Sequence, residues 1–236
     1  MCQSENGTWE MALTVSVKYA SDTSGHHRSV VMYAHPSGAS DPVPTTWITD
    51  TVLEGSLAHD ERGNYDGKYY ENGGTLYLIY SKRLSDRPAH DGVVAQAIAN
   101  PRGPRTGEPA VLLAPTPDGG FNSEDFLTDK PESHFKLVET GNITQINSKY
   151  VLSYSTGAFD ESCYKSGLTS SDTFLPAAGA RYAKRVIADP DNLWRNSSRH
   201  DVNYLLQSER PRWSNYVGDT VQAPVFPSIV QDHEAW

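Results

Sequence analysis

The sequence predicts an all-β protein of the β-propeller type, with about four blades in 236 residues. Three observations carry that expectation. Apolar residues recur with a period of two in short segments such as Leu13-Thr14-Val15-Ser16-Val17-Lys18-Tyr19, the pattern of a half-buried strand. No window holds an apolar period of 3.6 over more than two turns, so there is no stripe for a helix to bury. One hairpin layout also occurs twice, as Tyr65-Asp66-Gly67 leading to Thr75–Ser81, and as Val138-Glu139-Thr140-Gly141 leading to Asn147–Ser155. Asp66 lies 80 − 66 = 14 positions before Tyr80, and Glu139 lies 154 − 139 = 15 before Tyr154. A repeated small sheet is the unit of a propeller, whose blades surround a central channel. A two-sheet sandwich also fits short alternating strands; the repeated place of the acids favours the propeller.

The elements follow in order. After the first strand, Ser21–Gly25 supplies turn chemistry and Ser29–Ala34 reads as the returning strand. The Asp66 hairpin comes next, then a strand at Gly92–Ile98 and a Pro- and Gly-rich loop at Asn100–Gly107. Val111–Leu113 reads as a short edge-like strand, and residues 115–134 as a long polar connection of the kind that carries function or disorder. The Glu139 hairpin is followed by strands at Lys165–Ser170 and Tyr182–Ile187, then at Asn203–Gln207 and Ser228–Val230. Residues 1–236 are therefore read as one propeller domain with hairpins near 13–34, 66–81 and 147–170, and a late, incomplete one.

Charge and composition exclude several classes. The net charge is −9, and the most basic stretch, Arg195–His200, is too weakly charged to track a phosphate backbone, so nucleic acid is not an expected partner. No apolar run approaches the roughly 18 residues of a membrane span. The N-terminus, Met1–Asn6, has neither the basic nor the apolar region of a secretory signal. Sequons at Asn6, Asn142 and Asn196 support secretion only weakly, because the pattern is short. Cys2 and Cys163 have no spacing that favours a pair.

Glu139 precedes Ser148-Lys149-Tyr150-Val151-Leu152-Ser153-Tyr154-Ser155, and Phe159, Tyr164 and Gly167–Asp172 continue the pattern. At these residues the chain resembles glycoside hydrolase family 43, whose members are five-bladed propellers. Asp66 with Gly74–Tyr80 is similar to that family's preceding blade, and the resemblance covers roughly residues 60–190. It implies hydrolysis of arabinofuranosides or xylosides of plant cell walls by inversion. Glu139 would be the general acid, and Asp66 the carboxylate that raises its pKa and orients the sugar. The chain is read as a monomer with a carbohydrate substrate, no cofactor and no metal among its site residues, and the resemblance implies that it works outside the cell. Phe159 and Trp9 are the aromatics named for stacking on the sugar, although aromatics in β repeats more often serve the core.

Two departures temper the resemblance. The blade that carries the family's third acid, the general base, is expected to be absent, because the segment from Trp9 to Tyr33 is similar to the second blade. Ala223–Val230 resembles the opening of the last blade, and the sequence stops at Trp236, so about four blades with an open seam are expected. Asp22 or Asp41 would be the first candidates for a base if the chain hydrolyses at ordinary rates. The alternative is a non-catalytic carbohydrate-binding propeller or an inactive fragment.

Taken alone, Asp66 is an ordinary turn carboxylate, since Asp-Gly is a common turn pair. Other chemistry has less support. His26-His27 has no acid or Cys at metal-ligand spacing and reads as a solvated hairpin tip. There is no Gly-x-Ser-x-Gly elbow, and Gly63–Lys68 lacks the phosphate-loop spacing.

Overall fold

A computed structural model describes residues 2–3, 7–17, 28–38, 44–55, 63–86, 89–115, 136–156, 165–184 and 204–207. Every regular element among them is a strand: β1 (Cys2–Gln3), β2 (Trp9–Val17), β3 (Arg28–Pro36), β4 (Trp47–Glu54), β5 (Asn64–Asn72), β6 (Thr75–Asp86), β7 (Ala89–Ile98), β8 (Ala110–Leu113), β9 (Lys136–Ile146), β10 (Lys149–Thr156), β11 (Lys165–Ser171), β12 (Ala183–Lys184) and β13 (Tyr204–Gln207). The late strand expected at Ser228–Val230 lies outside the described residues, as does the connection at 116–135.

The chain divides into two compact units. The first comprises Met1–Arg83 with Val94–Ala110, and the second Leu84–Val93 with Val111–Trp236. In the first unit, β1-β2-β3-β4 form an antiparallel sheet. In β3, Val30, Val31, Tyr33 and Ala34 are buried; consecutive strand residues point to opposite faces, so both faces of this strand are covered. Strand β5 packs against β2 and β3, and on β6 Leu78, Ile79 and Tyr80 are each at most 1% exposed. Burying side chains of this size contributes about 1.5–3 kcal/mol each, and this burial holds the hairpin in place.

In the second unit, β9, β10 and β11 form consecutive antiparallel pairs, and β12 and β13 both pair with β11. The start of β7 joins them through a short parallel ladder, His90↔Lys136 and Asp91↔Leu137. Its core is Val93, Leu112, Leu113, Val138, Leu152, Tyr154, Phe174 and Tyr182, all at most 3% exposed.

Several elements depart from the sequence reading, the unanticipated β1 among them. The first strand is displaced toward the N-terminus, running Trp9–Val17 rather than 13–19, so that Met11 and Ala12 also pair with β3. β4 was not anticipated. It lies at the edge of its sheet, with Ile48 44% exposed and only Leu53 and Glu54 buried, so it lacks the alternation of a half-buried strand.

Candidate functional site

The β5–β6 and β9–β10 hairpins have the same backbone. Each closes through a two-residue turn with both central φ values positive, Gly73-Gly74 (58° and 77°) and Asn147-Ser148 (48° and 64°), the type I′ geometry that matches strand twist. Each carries a β-bulge at the same distance from that turn. Asp66 and Gly67 together face Tyr80, because the register passes from Tyr65↔Ser81 to Lys68↔Ile79. Thr140 and Gly141 together face Tyr154, between Ser155↔Glu139 and Ser153↔Asn142. The first bulge residue is left-handed in both, with φ 58° at Asp66 and 59° at Thr140.

This register corrects the alignment of the two acids. The repeat spacing is 154 − 80 = 74, the same as 152 − 78 for Leu78 and Leu152 and 141 − 67 for the bulge glycines. For the acids it is 139 − 66 = 73. Glu139 is therefore the structural counterpart of Tyr65, and Asp66 the counterpart of Thr140. One acid precedes its bulge and the other sits on it. A bulge re-aims the side chains around it, so the two carboxyls leave their strands from different seats.

The Asp-Gly pair thus makes a bulge rather than a turn. Asp tolerates a left-handed backbone better than most residues, and the Asp66 amide donates to Thr14 Oγ1 at 2.8 Å. Gly67 is required by packing, since a Cβ there would overlap the Val31 side chain and crowd Ala12 and Leu78. The Asp66 carboxyl is partly buried. Dehydration pushes its pKa up to about 6, against the lowering pull of Lys68. Lys68, two residues along, is held below its usual range by burial, partly offset by Asp66.

Glu139 is 8% exposed, opposite Ser155, which is fully buried. Cross-strand partners share a face, so the Ser155 hydroxyl lies on the same side of the ladder as Glu139. Ser155 Oγ has no hydrogen-bond partner among the described residues. Thr156 Oγ1 donates to the Leu137 carbonyl at 2.6 Å, tying the two strands beside Glu139. A Cβ at Gly141 would overlap Val93, and one at Gly167 would strike the Tyr154 ring, so the bulge is held from both sides. Thr140 is β-branched yet left-handed, a backbone state that costs on the order of 1–3 kcal/mol and concentrates at functional sites.

Tyr80 and Tyr154, which face the two bulges, are core, each being 1% exposed. Trp9 begins β2 opposite Gln3 and is half-buried. Phe159, Cys163, His26, His27, Asp22 and Asp41 lie outside the described residues. Asn142, the middle sequon, is half-buried within the β9 ladder. Sequence reasoning missed the bulges, although the constant spacing of 74 between Gly67 and Gly141 was a usable signal.

No family model matches the sequence, and no curated protein matches it. Solved structures do. An α-L-arabinofuranosidase from Lactobacillus brevis matches with a TM-score of 0.57 at 18% identity, over 76% of this chain and 51% of that one. A thermostable family-43 glycoside hydrolase matches with a TM-score of 0.53 at 15% identity, again over 76% and 51%. An exo-1,5-α-L-arabinanase from a bovine ruminal metagenomic library matches with a TM-score of 0.50 at 14% identity, over 87% and 58%. The chain thus shares the all-β, five-bladed-propeller-type fold of family-43 glycoside hydrolases and spans a little over half the length of these structures.

Proposed function

We propose that the protein is a glycoside hydrolase that cleaves pentose glycosides, arabinofuranosides or xylosides, by inversion, with Glu139 as general acid. The observation that carries this reading is the placement of Glu139. It is nearly buried at the head of a strained bulge, in a fold shared with glycosidases of that class. Inverting hydrolysis needs a protonated carboxyl at the leaving oxygen and a carboxylate that activates water on the opposite face, about 6.5–9.5 Å away. A general acid must hold its proton near the working pH to donate it.

In this reading Asp66 is the second carboxylate of the site. Its role in this reading is to tune the general acid with its charge and to accept hydrogen bonds from sugar hydroxyls. With its own pKa near 6, Asp66 carries that charge above about pH 6 and loses it below. Trp9 and Phe159 are assigned to stacking on the sugar.

The test is hydrolysis of aryl arabinofuranosides and xylosides by the wild-type chain and by Glu139→Gln. Turnover that is lost in the variant supports the reading. Binding of the same sugars with no turnover by either protein replaces it with a non-catalytic carbohydrate-binding propeller.

A further inference from the structure

A second site lies in the first unit, away from the two bulges in sequence. Edge strand β4 and the 99–105 loop enclose a cleft of about 550 Å³, lined by Thr51, Leu53, Ile98, Asn100, Arg102 and Arg105 among others. That volume falls within the usual range for small-molecule sites. The loop wall is preorganised by backbone bonds from Ala99 N to Pro104 O, Gly103 N to Asn100 O and Thr106 N to Ala97 O, each 2.8–2.9 Å. Gln96, fully buried, donates to the Gly107 carbonyl at 3.0 Å and anchors the end of the loop.

The chemistry of the wall is specific. Arg102 pairs with Asp50, donates from Nε to Thr51 Oγ1 at 3.2 Å, and stacks over the Tyr33 ring at 5.6 Å. Arg105 Nε lies 3.1 Å from Glu54 Oε1, and Glu54 is 2% exposed. Each guanidinium therefore has its own carboxylate, and the cleft carries no excess charge to draw an anion. What remains is a set of fixed donors. Among the described residues, Arg102 Nη1, both Nη groups of Arg105 and Asn100 Nδ2 have no hydrogen-bond partner. The two arginine side chains are 58% and 52% exposed, so these donors are open to a ligand. Ile98, Pro104, Val52 and Leu53 add apolar surface between them.

Oriented donors of balanced charge beside small apolar patches suit a neutral polyol more than a phosphate or a carboxylate. We infer that this cleft is an accessory saccharide-binding site, which takes a neutral pentose oligosaccharide through hydroxyl contacts to Asn100, Arg102 and Arg105. The choice of ligand rests on the carbohydrate reading above; the site uses neither Glu139 nor Asp66. Without an aromatic platform in its lining, it binds weakly, with a Kd on the order of 1 mM.

The experiment is amide NMR on the full chain carrying Glu139→Gln, so that the ligand survives, titrated with arabinotriose and xylotriose. Inorganic phosphate and trigalacturonate serve as anionic controls. A neutral trisaccharide should shift the amides of Thr51, Leu53, Asn100, Arg102 and Gly103. Arg105→Lys keeps the ion pair with Glu54 but removes the fork, and Asn100→Asp keeps the acceptor used by the loop but removes the amide donor. Each should weaken binding by about 2- to 10-fold, the effect of one hydrogen bond. The inference is overturned if no shift appears at these amides, if both variants bind as tightly as their parent, or if the anions bind more tightly. Wild-type hydrolysis measured in parallel separates the two readings. Turnover without cleft shifts defeats the cleft alone, and cleft shifts without turnover defeat the catalytic reading alone.

Discussion

The β5–β6 and β9–β10 hairpins share their turn type, bulge, bulge glycine, buried Leu and buried Tyr, yet differ where chemistry would be placed. Tyr65 and Asp66 in the first become Glu139 and Thr140 in the second. The shared positions face inward and pack, and the differing ones flank the bulge. The hairpin is thus a mount whose geometry comes from Gly67 or Gly141, Leu78 or Leu152, and Tyr80 or Tyr154. Two positions at the bulge remain free to vary, and each hairpin places its acid at a different one.

Predictions that break or sharpen this comparison start with the glycines. Gly67→Ala and Gly141→Ala should each destabilise the protein by about 1–3 kcal/mol, because each Cβ overlaps a packed valine. Urea unfolding checks this, and similar losses at both sites are expected from the shared geometry. A neutral outcome at either site would mean that its hairpin is held differently.

Next comes Asp66. The folded chain holds its proton up to about pH 6, while the unfolded chain releases it near 3.8. The folded state therefore binds more protons in that window, and stability falls as the pH rises through it. The loss is absent below about pH 4, complete above about pH 6, and amounts to about 1–3 kcal/mol. Asp66→Asn keeps a residue suited to positive φ and should remove this slope, leaving the protein more stable at pH 7. Thermal melts across pH 4–7 check it; an unchanged slope would show that Asp66 titrates normally.

The smallest effect concerns Lys149, whose counterpart in the first hairpin is Thr75. Its ion pair with Asp172 is 2.6 Å long, but the two side chains are 58% and 82% exposed. Exposed pairs contribute little. Lys149→Thr should change stability by less than about 0.5 kcal/mol in a melt.

Much of the strand set was legible in the sequence, because buried strands carry short apolar, β-branched and aromatic runs: β3, β6, β8, β10 and β11 fall close to where those runs put them. Edge strand β4 was not, since Trp47–Asp50 has no face to bury and shows no period. The bulges were hidden for a different reason. Asp66-Gly67 resembles a turn pair, and Thr140 is a residue type that sequence reasoning would not place at positive φ. Only the contrast between spacings of 74 and 73 betrays that the acids are offset by one seat.

The central claim, that Glu139 in its bulge-head seat is a general acid, is tested most directly by leaving-group dependence. Hydrolysis of aryl arabinofuranosides with good and poor leaving groups would be compared for the wild-type chain and Glu139→Gln. Proton donation is worth about 10²–10⁴-fold where the leaving group needs it. The account predicts a loss of that size for the poor leaving group and a much smaller one for the activated aglycone. An equal loss on both substrates would contradict it and give the proton to a different residue.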